Sequence, residues 1–209
     1  MTGTDHPTST AAADEGADLM LRWRAGDERA FERLVELHAG PVYALLTRFL
    51  GDTPNREDLV QEVFLRVVRA RDRYAPSARF STFLYTIAFN LAANERARAE
   101  LRRTASLDAW AGGEGDAPDG RGRELVDPNG VRPDSELARA DAGELVRSAI
   151  AELPAQQRMA LILARYEELP YSEIAVVLGS SEKAVKSLIH RARESLRARL
   201  APLLEEDYA

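Results

Sequence analysis

The stretch Tyr171–Leu200, YSEIAVVLGSSEKAVKSLIHRARESLRARL, decides the fold. It reads as two helices joined by a tight turn. Ile174, Ala175 and Leu178 recur at helical spacing, so the first helix has one apolar face. Gly179 follows at once, where a helix end usually needs a left-handed residue. Ser180 or Ser181 can then accept a hydrogen bond from the first free amides of the next helix. In that helix Ala184, Val185, Leu188, Ile189 and Ala192 form a stripe for burial. Lys183, Lys186, Ser187, His190, Arg191, Arg193, Arg197 and Arg199 are left to the other positions. A short helix, a glycine turn and a basic second helix make a helix-turn-helix, whose second helix enters the DNA major groove. An ordinary helical hairpin with a solvated basic face would share some of this. The coincidence of turn, cap, stripe and basic face favours DNA.

Charge then constrains the DNA reading. The chain of 209 residues carries a net charge of −6, whereas a protein that grips DNA alone usually has a basic surface. Its bases concentrate at Lys183–Arg199 and Arg96–Arg103, and acids dominate elsewhere. The summed field should repel free duplex at long range. Weak DNA binding in isolation is expected, made productive when something else delivers the protein. There is no cysteine, which removes disulfides and thiolate metal sites. His6, His38 and His190 are scattered, so no metal or other cofactor is expected. No secretory leader is visible, and no apolar run approaches membrane-spanning length, so a cytoplasmic location is expected.

Upstream, residues 1–16 are small and polar and read as a disordered tail. Helical periodicity starts at Ala17. Leu19, Met20 and Trp23 share a face before Gly26-Asp27 breaks the run. Asp27 is placed to cap a helix bearing Phe31, Leu34, Val35 and Leu37. Gly40-Pro41 predicts a break, with a new helix carrying Val42, Leu45, Leu46, Phe49 and Leu50. Trp23 and Phe31 have core spacing. After the turn at Gly51–Pro54, a helix over 55–71 stripes Leu59, Val63 and Val67, widened by Phe64 and Val68.

Residues 80–103, FSTFLYTIAFNLAANERARAELRR, predict a long helix with Phe83, Leu84, Ile87, Ala88 and Leu91 inward. Tyr85 and Phe89 fall off that stripe, and Asn90 and Asn94 sit where asparagine is a poor helix former. Aromatic, asparagine and arginine groups together suit single-stranded nucleic acid, since rings stack bases and guanidiniums hold phosphates. A long amphipathic helix with spare aromatics in its core fits these residues equally well. Residues 104–134 are rich in Gly, Pro and Asp and read as an acidic flexible linker, with Trp110 isolated in it. A second helical domain spans 135–200, and 201–209 form an acidic tail, with Pro202 expected to end the last helix. The fold class is therefore all-α: two small helical domains joined by a flexible linker, with a C-terminal helix-turn-helix.

Three stretches resemble bacterial RNA polymerase sigma factors of the small, two-domain extracytoplasmic-function class. They are Asp58–Leu65 (DLVQEVFL), Phe83–Ala88 (FLYTIA) with Asn90, and Tyr171–Leu200, in the family order. The resemblance implies that 17–103 is a region 2-like domain and 135–200 a region 4-like domain. It implies that Asp58, Gln61, Glu62 and Leu65 meet the coiled coil of the largest polymerase subunit. Phe80, Phe83, Tyr85, Phe89, Asn90, Asn94 and Arg96 would read and open the minus-ten element, offsetting the few kcal/mol, roughly, lost when a base leaves the stack. Ser181, Glu182, Lys183, Lys186, Ser187, His190, Arg191 and Arg193 would contact the minus-thirty-five duplex. Core RNA polymerase, promoter DNA and an anti-sigma factor are the implied partners. Three positions depart from the family pattern: Phe83 stands for its usual tryptophan, Leu188 for a frequent arginine, and Pro170 for a serine cap.

Two rival classes fit the sequence less well. A stand-alone helix-turn-helix regulator with an N-terminal sensor or dimerisation domain would bind DNA tightly unaided, which the net charge of −6 disfavours. An enzyme acting on nucleic acid would need a metal-holding acid cluster or a nucleophile with its base, and no such set is visible.

Overall fold

The computed structural model describes residues 14–111, apart from 52 and 54, and residues 134–206. The expected tail over 1–13, the linker stretch 112–133, the residues 207–209 and the Trp110 side chain lie outside the described residues. The described residues form α-helices α1 (Glu15–Arg24), α2 (Glu28–Leu50), α3 (Arg56–Ala70), α4 (Phe80–Ala111), α5 (Asp134–Ala151), α6 (Ala155–Tyr166), α7 (Tyr171–Val177) and α8 (Glu182–Glu206). A short 3-10 turn, Arg71–Arg73, follows α3.

Helices α1 to α4 make the first half. Met20, Trp23, Leu34, Val42, Leu45, Leu46, Phe49, Val63, Val67 and Leu84 are buried there, on the stripes that periodicity marks, and Phe80, which those stripes leave out, is buried with them. Trp23 is a core residue, stacked on Phe31 at 4.4 Å, with its indole N–H donating to Glu28 at 3.1 Å. The helices begin and end differently from expectation at four places. α1 starts at Glu15, inside the stretch read as tail. Its anchor is Asp14, whose carboxylate accepts from the Gly16 amide at 3.1 Å and also from the amide of Phe80, the first residue of α4. One side chain thereby satisfies free amides on two helices far apart in sequence, which local patterning does not reveal. Pro41 does not start a helix but lies within the 23-residue α2. Its ring removes one helical hydrogen bond, yet Gly40 and Pro41 are exposed while Leu34, Val42 and Leu45 on either side share one core, so burial overrides the local break. α4 runs for 32 residues, past the expected domain end at Arg103 to Ala111. α8 likewise continues through Pro202 to Glu206.

Helices α5 to α8 make the second half, around Leu153, Met159, Ile162, Leu163, Ile174, Val177, Val185 and Ile189. The halves pack on each other: α7 lies against α4, and α6 and α5 lie against α2. Arg158 of α6 is 3% exposed. Its guanidinium donates to the Phe49 carbonyl at 2.7 Å and to the Leu153 carbonyl at 3.3 Å, stitching α6 to the end of α2. Burial, then the nearby Arg96 charge, pulls its pKa down to about 10, which leaves it charged at neutral pH.

Candidate nucleic-acid interface

The turn between α7 and α8 has the chemistry its sequence announces. Gly179 adopts φ 57°, the left-handed conformation that glycine reaches without steric cost. Beyond it the Ser180 amide reaches back to the Ala175 carbonyl at 2.9 Å, closing the end of α7. Ser181, not Ser180, caps α8 by accepting from the Ala184 amide at 3.2 Å. Val185, Ile189 and Ala192 are buried, which rotates the opposite face outward. Ser181, Glu182, Lys183, Lys186, His190, Arg191 and Arg193 are exposed, and Ser187 is half-buried. The Ser187 hydroxyl accepts from Arg191 at 2.9 Å, and Lys186 pairs with Glu182 at 3.4 Å. Lys183 and Arg193 make no ion pair among the described residues, so their charge is available to a phosphate. α7 starts directly at Tyr171, with the Pro170 carbonyl accepting from Glu173 and Ile174.

The α4 residues divide in two. Asn90 and Asn94 are exposed, four apart and so on one face, and the half-buried Arg96 pairs with Glu100 at 2.9 Å. The four aromatic rings expected to meet bases are turned inward instead. Phe80 is fully buried against His38, Tyr74 and Phe83. Phe83 is half-buried beside Tyr74 at 5.2 Å. Phe89 sits edge-on to Phe49 at 5.7 Å, which makes it core rather than off the core stripe. Tyr85 is 5% exposed because the second half covers it.

Asp58, Gln61, Leu65 and Val68 recur at three, four and three along α3 and therefore share one face. Asp58 and Gln61 are exposed, and Leu65 and Val68 are 49% and 40% exposed. Glu62 beside them is bonded to Arg66 at 3.0 Å and approached by Arg69 at 3.5 Å. Val68, which periodicity assigns to the core, is exposed instead and enlarges the apolar seam.

Residues 34–104 match the family described as Sigma-70 region 2, and residues 143–196 match Sigma-70, region 4. Over 193 residues the chain is 34% identical to the RNA polymerase sigma-H factor of Pseudomonas aeruginosa, covering 92% of this chain and 97% of that one. It is also 34% identical over 189 residues to the ECF RNA polymerase sigma-E factor of Escherichia coli K12, covering 89% and 94%. The chain belongs to the extracytoplasmic-function sigma factors. This sigma factor directs promoter-specific initiation by RNA polymerase. Among solved structures it is similar to CnrH in complex with the cytosolic domain of CnrY, at TM-score 0.62 and 26% identity over 90% of this chain and 99% of that one. The sigma factor RpoE of Bartonella quintana, solved with the anti-sigma factor NepR, shares the fold at TM-score 0.56 and 20% identity, covering 82% and 96%.

Between the halves of the sigma factor lies a polar seam that periodicity could not show. The Tyr85 hydroxyl donates to Glu167 at 2.5 Å, and Glu167 also approaches Arg48 at 3.6 Å. Burial, then the Glu167 carboxylate, pushes the Tyr85 hydroxyl above its ordinary pKa, so it stays a donor at any physiological pH. The buried Thr82 hydroxyl donates to Glu173 at 2.6 Å, and Arg79 meets the same carboxylate at 3.2 Å. Among the described residues no group of three or more His, Asp or Glu is arranged to hold a metal, and no helix is long and apolar enough to cross a membrane.

Proposed function

We propose that this sigma factor divides its work among three helices. The α3 face of Asp58, Gln61, Glu62 and Leu65 docks core polymerase. Asn90, Asn94 and Arg96 on α4, with Phe83 and Tyr85, read and open the minus-ten element. The exposed face of α8, from Ser181 to Arg193, holds the minus-thirty-five duplex. Two apolar side chains left uncovered in register with Asp58 and Gln61 carry the docking assignment, because such a seam fits a facing helix. Polymerase supplies most of the nonspecific DNA affinity, which lets a chain of net charge −6 work at DNA. No catalytic step is assigned to the chain, and it acts in the cytoplasm beside polymerase. An anti-sigma factor is its further partner, as suggested by likeness to the sigma factor RpoE of Bartonella quintana, which was solved with the anti-sigma factor NepR.

Fluorescence anisotropy of the labelled full chain against purified core polymerase tests the docking. Asp58→Arg and Leu65→Glu should each weaken binding at least tenfold, or about 1.4 kcal/mol, with the helical circular-dichroism signal retained. Unchanged affinity would remove α3 from the interface.

A further inference from the structure

A cavity of about 750 Å³ opens where the turn after α2 meets the later turns of α4. Leu50, Thr53 and Leu59 line it from one side and the α4 residues between Glu95 and Arg103 from another. Arg158 of α6 and Arg199 of α8 complete it. Neither Tyr85 nor Glu167 is among its walls. Its size is that of small-molecule sites, which set a few polar groups against apolar walls.

Five arginines and three glutamates line this space. Glu95 pairs with Arg102 at 2.8 Å, Glu100 with Arg96 at 2.9 Å, and Glu152 with Arg199. Arg103 and Arg158 are left over, with no ion pair among the described residues. Arg158 is the more telling, because a buried cation ordinarily faces an acid. At 3% exposure its hydrogen bonds go to the Phe49 and Leu153 carbonyls, and its Nε has no partner. The Thr53 hydroxyl, on the same wall, is also buried without a partner. The charges of Arg103 and Arg158 both reach Glu100, which the Arg96 hydrogen bond holds below the ordinary carboxylate range. Three guanidiniums thus bear on one point of the cavity, where an acid of the chain already sits.

The surplus is two positive charges, five arginines against three glutamates. A phosphate monoester carries about −1.5 to −2 at pH 7 and accepts paired hydrogen bonds from guanidinium forks. Leu50 and Leu59, both half-buried, offer an apolar wall to a flat base, extended by Ala99 and Ala151. We propose that the cavity binds a nucleoside monophosphate. Its phosphate sits on Arg103, Arg158 and the Thr53 hydroxyl, and its base lies against Leu50 and Leu59. The site stands apart from the three helix faces assigned above, save that Arg96 borders it. No step of promoter recognition is needed for the ligand to bind.

Isothermal titration calorimetry of the full chain with adenosine and guanosine 5′-monophosphate tests this. At least one should bind in equal ratio to the chain with a Kd below about 1 mM, and inorganic phosphate about tenfold more weakly. Arg103→Glu, at an exposed position, should weaken nucleotide binding about tenfold. Arg29→Glu makes the same charge change at an exposed residue outside the cavity and should leave affinity unchanged. Glu100→Gln removes the competing carboxylate and should tighten binding roughly threefold. Arg158→Lys keeps the charge but loses the fork, and should weaken binding about fivefold with the helical circular-dichroism signal retained. If that variant fails to fold, Arg103→Glu and Glu100→Gln decide the matter. No binding of either nucleotide, inorganic phosphate held as tightly as the nucleotide, or affinity indifferent to Arg103→Glu in a folded chain would overturn the site.

Discussion

Helices α8 and α4 are both assigned here to nucleic acid, yet one face is open and the other is half closed. On α8 the buried stripe of Val185, Ile189 and Ala192 leaves the bases in solvent, ready for duplex. Among the α4 residues assigned to the minus-ten element, only Asn90 and Asn94 are exposed, while Tyr85, with its neighbour Thr82, is buried beneath the other half. Reading an intact duplex needs nothing beyond a preset surface. Holding an extruded base needs groups kept in place around it, and part of the α4 face assigned to that task is packed against the other half.

The largest effect expected from this contrast is on α8. Lys186→Glu together with Arg191→Glu reverses two charges on the open face and should weaken duplex capture by the assembled polymerase roughly 100-fold, with a shallower salt dependence. Polymerase binding measured in the same assay should not change. Loss of both would mean that the double variant is misfolded and that α8 had not been tested.

Next in size is the seat of α4 itself. A Cβ on Gly16 would lie 2.8 Å from the Phe80 ring and 3.0 Å from His38 Nε2. Gly16→Ala should therefore cost about 1–3 kcal/mol by overpacking, read as a lowered denaturant midpoint. Because Phe80 begins α4, minus-ten opening should suffer before minus-thirty-five binding does. Equal loss at both elements would contradict the separation of the two faces.

Asn90→Ala should be smaller, slowing promoter opening about tenfold, some 1.4 kcal/mol, in a permanganate reactivity assay. Duplex capture should be unaffected. An unaltered opening rate would move base recognition elsewhere on the helix.

The least effect concerns His38, whose burial lowers its pKa below 6.5 despite nearby Asp14 and Glu15. The folded protein resists a proton that the unfolded chain accepts, so stability is intact above about 6.5 and declines as pH falls through the lower, folded pKa. His38→Gln should flatten that part of the stability–pH curve, measured by urea unfolding. An identical slope would show that other groups carry the acid sensitivity.

Much of this was legible from local chemistry. Gly179 and Ser181 mark the helix-turn-helix because a left-handed turn and a side-chain cap are decided within a few residues. The docking role of Asp58, Gln61 and Leu65 is implied by the family resemblance and not by local chemistry, which leaves a solvated polar face equally open, and periodicity puts Val68 in the core because its exposure depends on where neighbouring helices stop. Pro41 misled because a proline signals a break locally, while the core residues on both sides keep α2 continuous. Tyr85 and Phe89 looked free since their cover comes from residues far along the chain: Glu167 for one and Phe49 for the other. Arg158 carried no sequence signal at all, since its partners are backbone carbonyls at Phe49 and Leu153.

The central claim is that polymerase lends the grip and this chain chooses the place. Its most direct test is the affinity of one promoter duplex at physiological salt, measured for the purified chain alone and again with core polymerase. Binding weaker than about 1 μM alone, tightened at least 100-fold by polymerase and lost again with Asp58→Arg, is the expected result. Nanomolar binding by the chain alone, indifferent to polymerase, would contradict it.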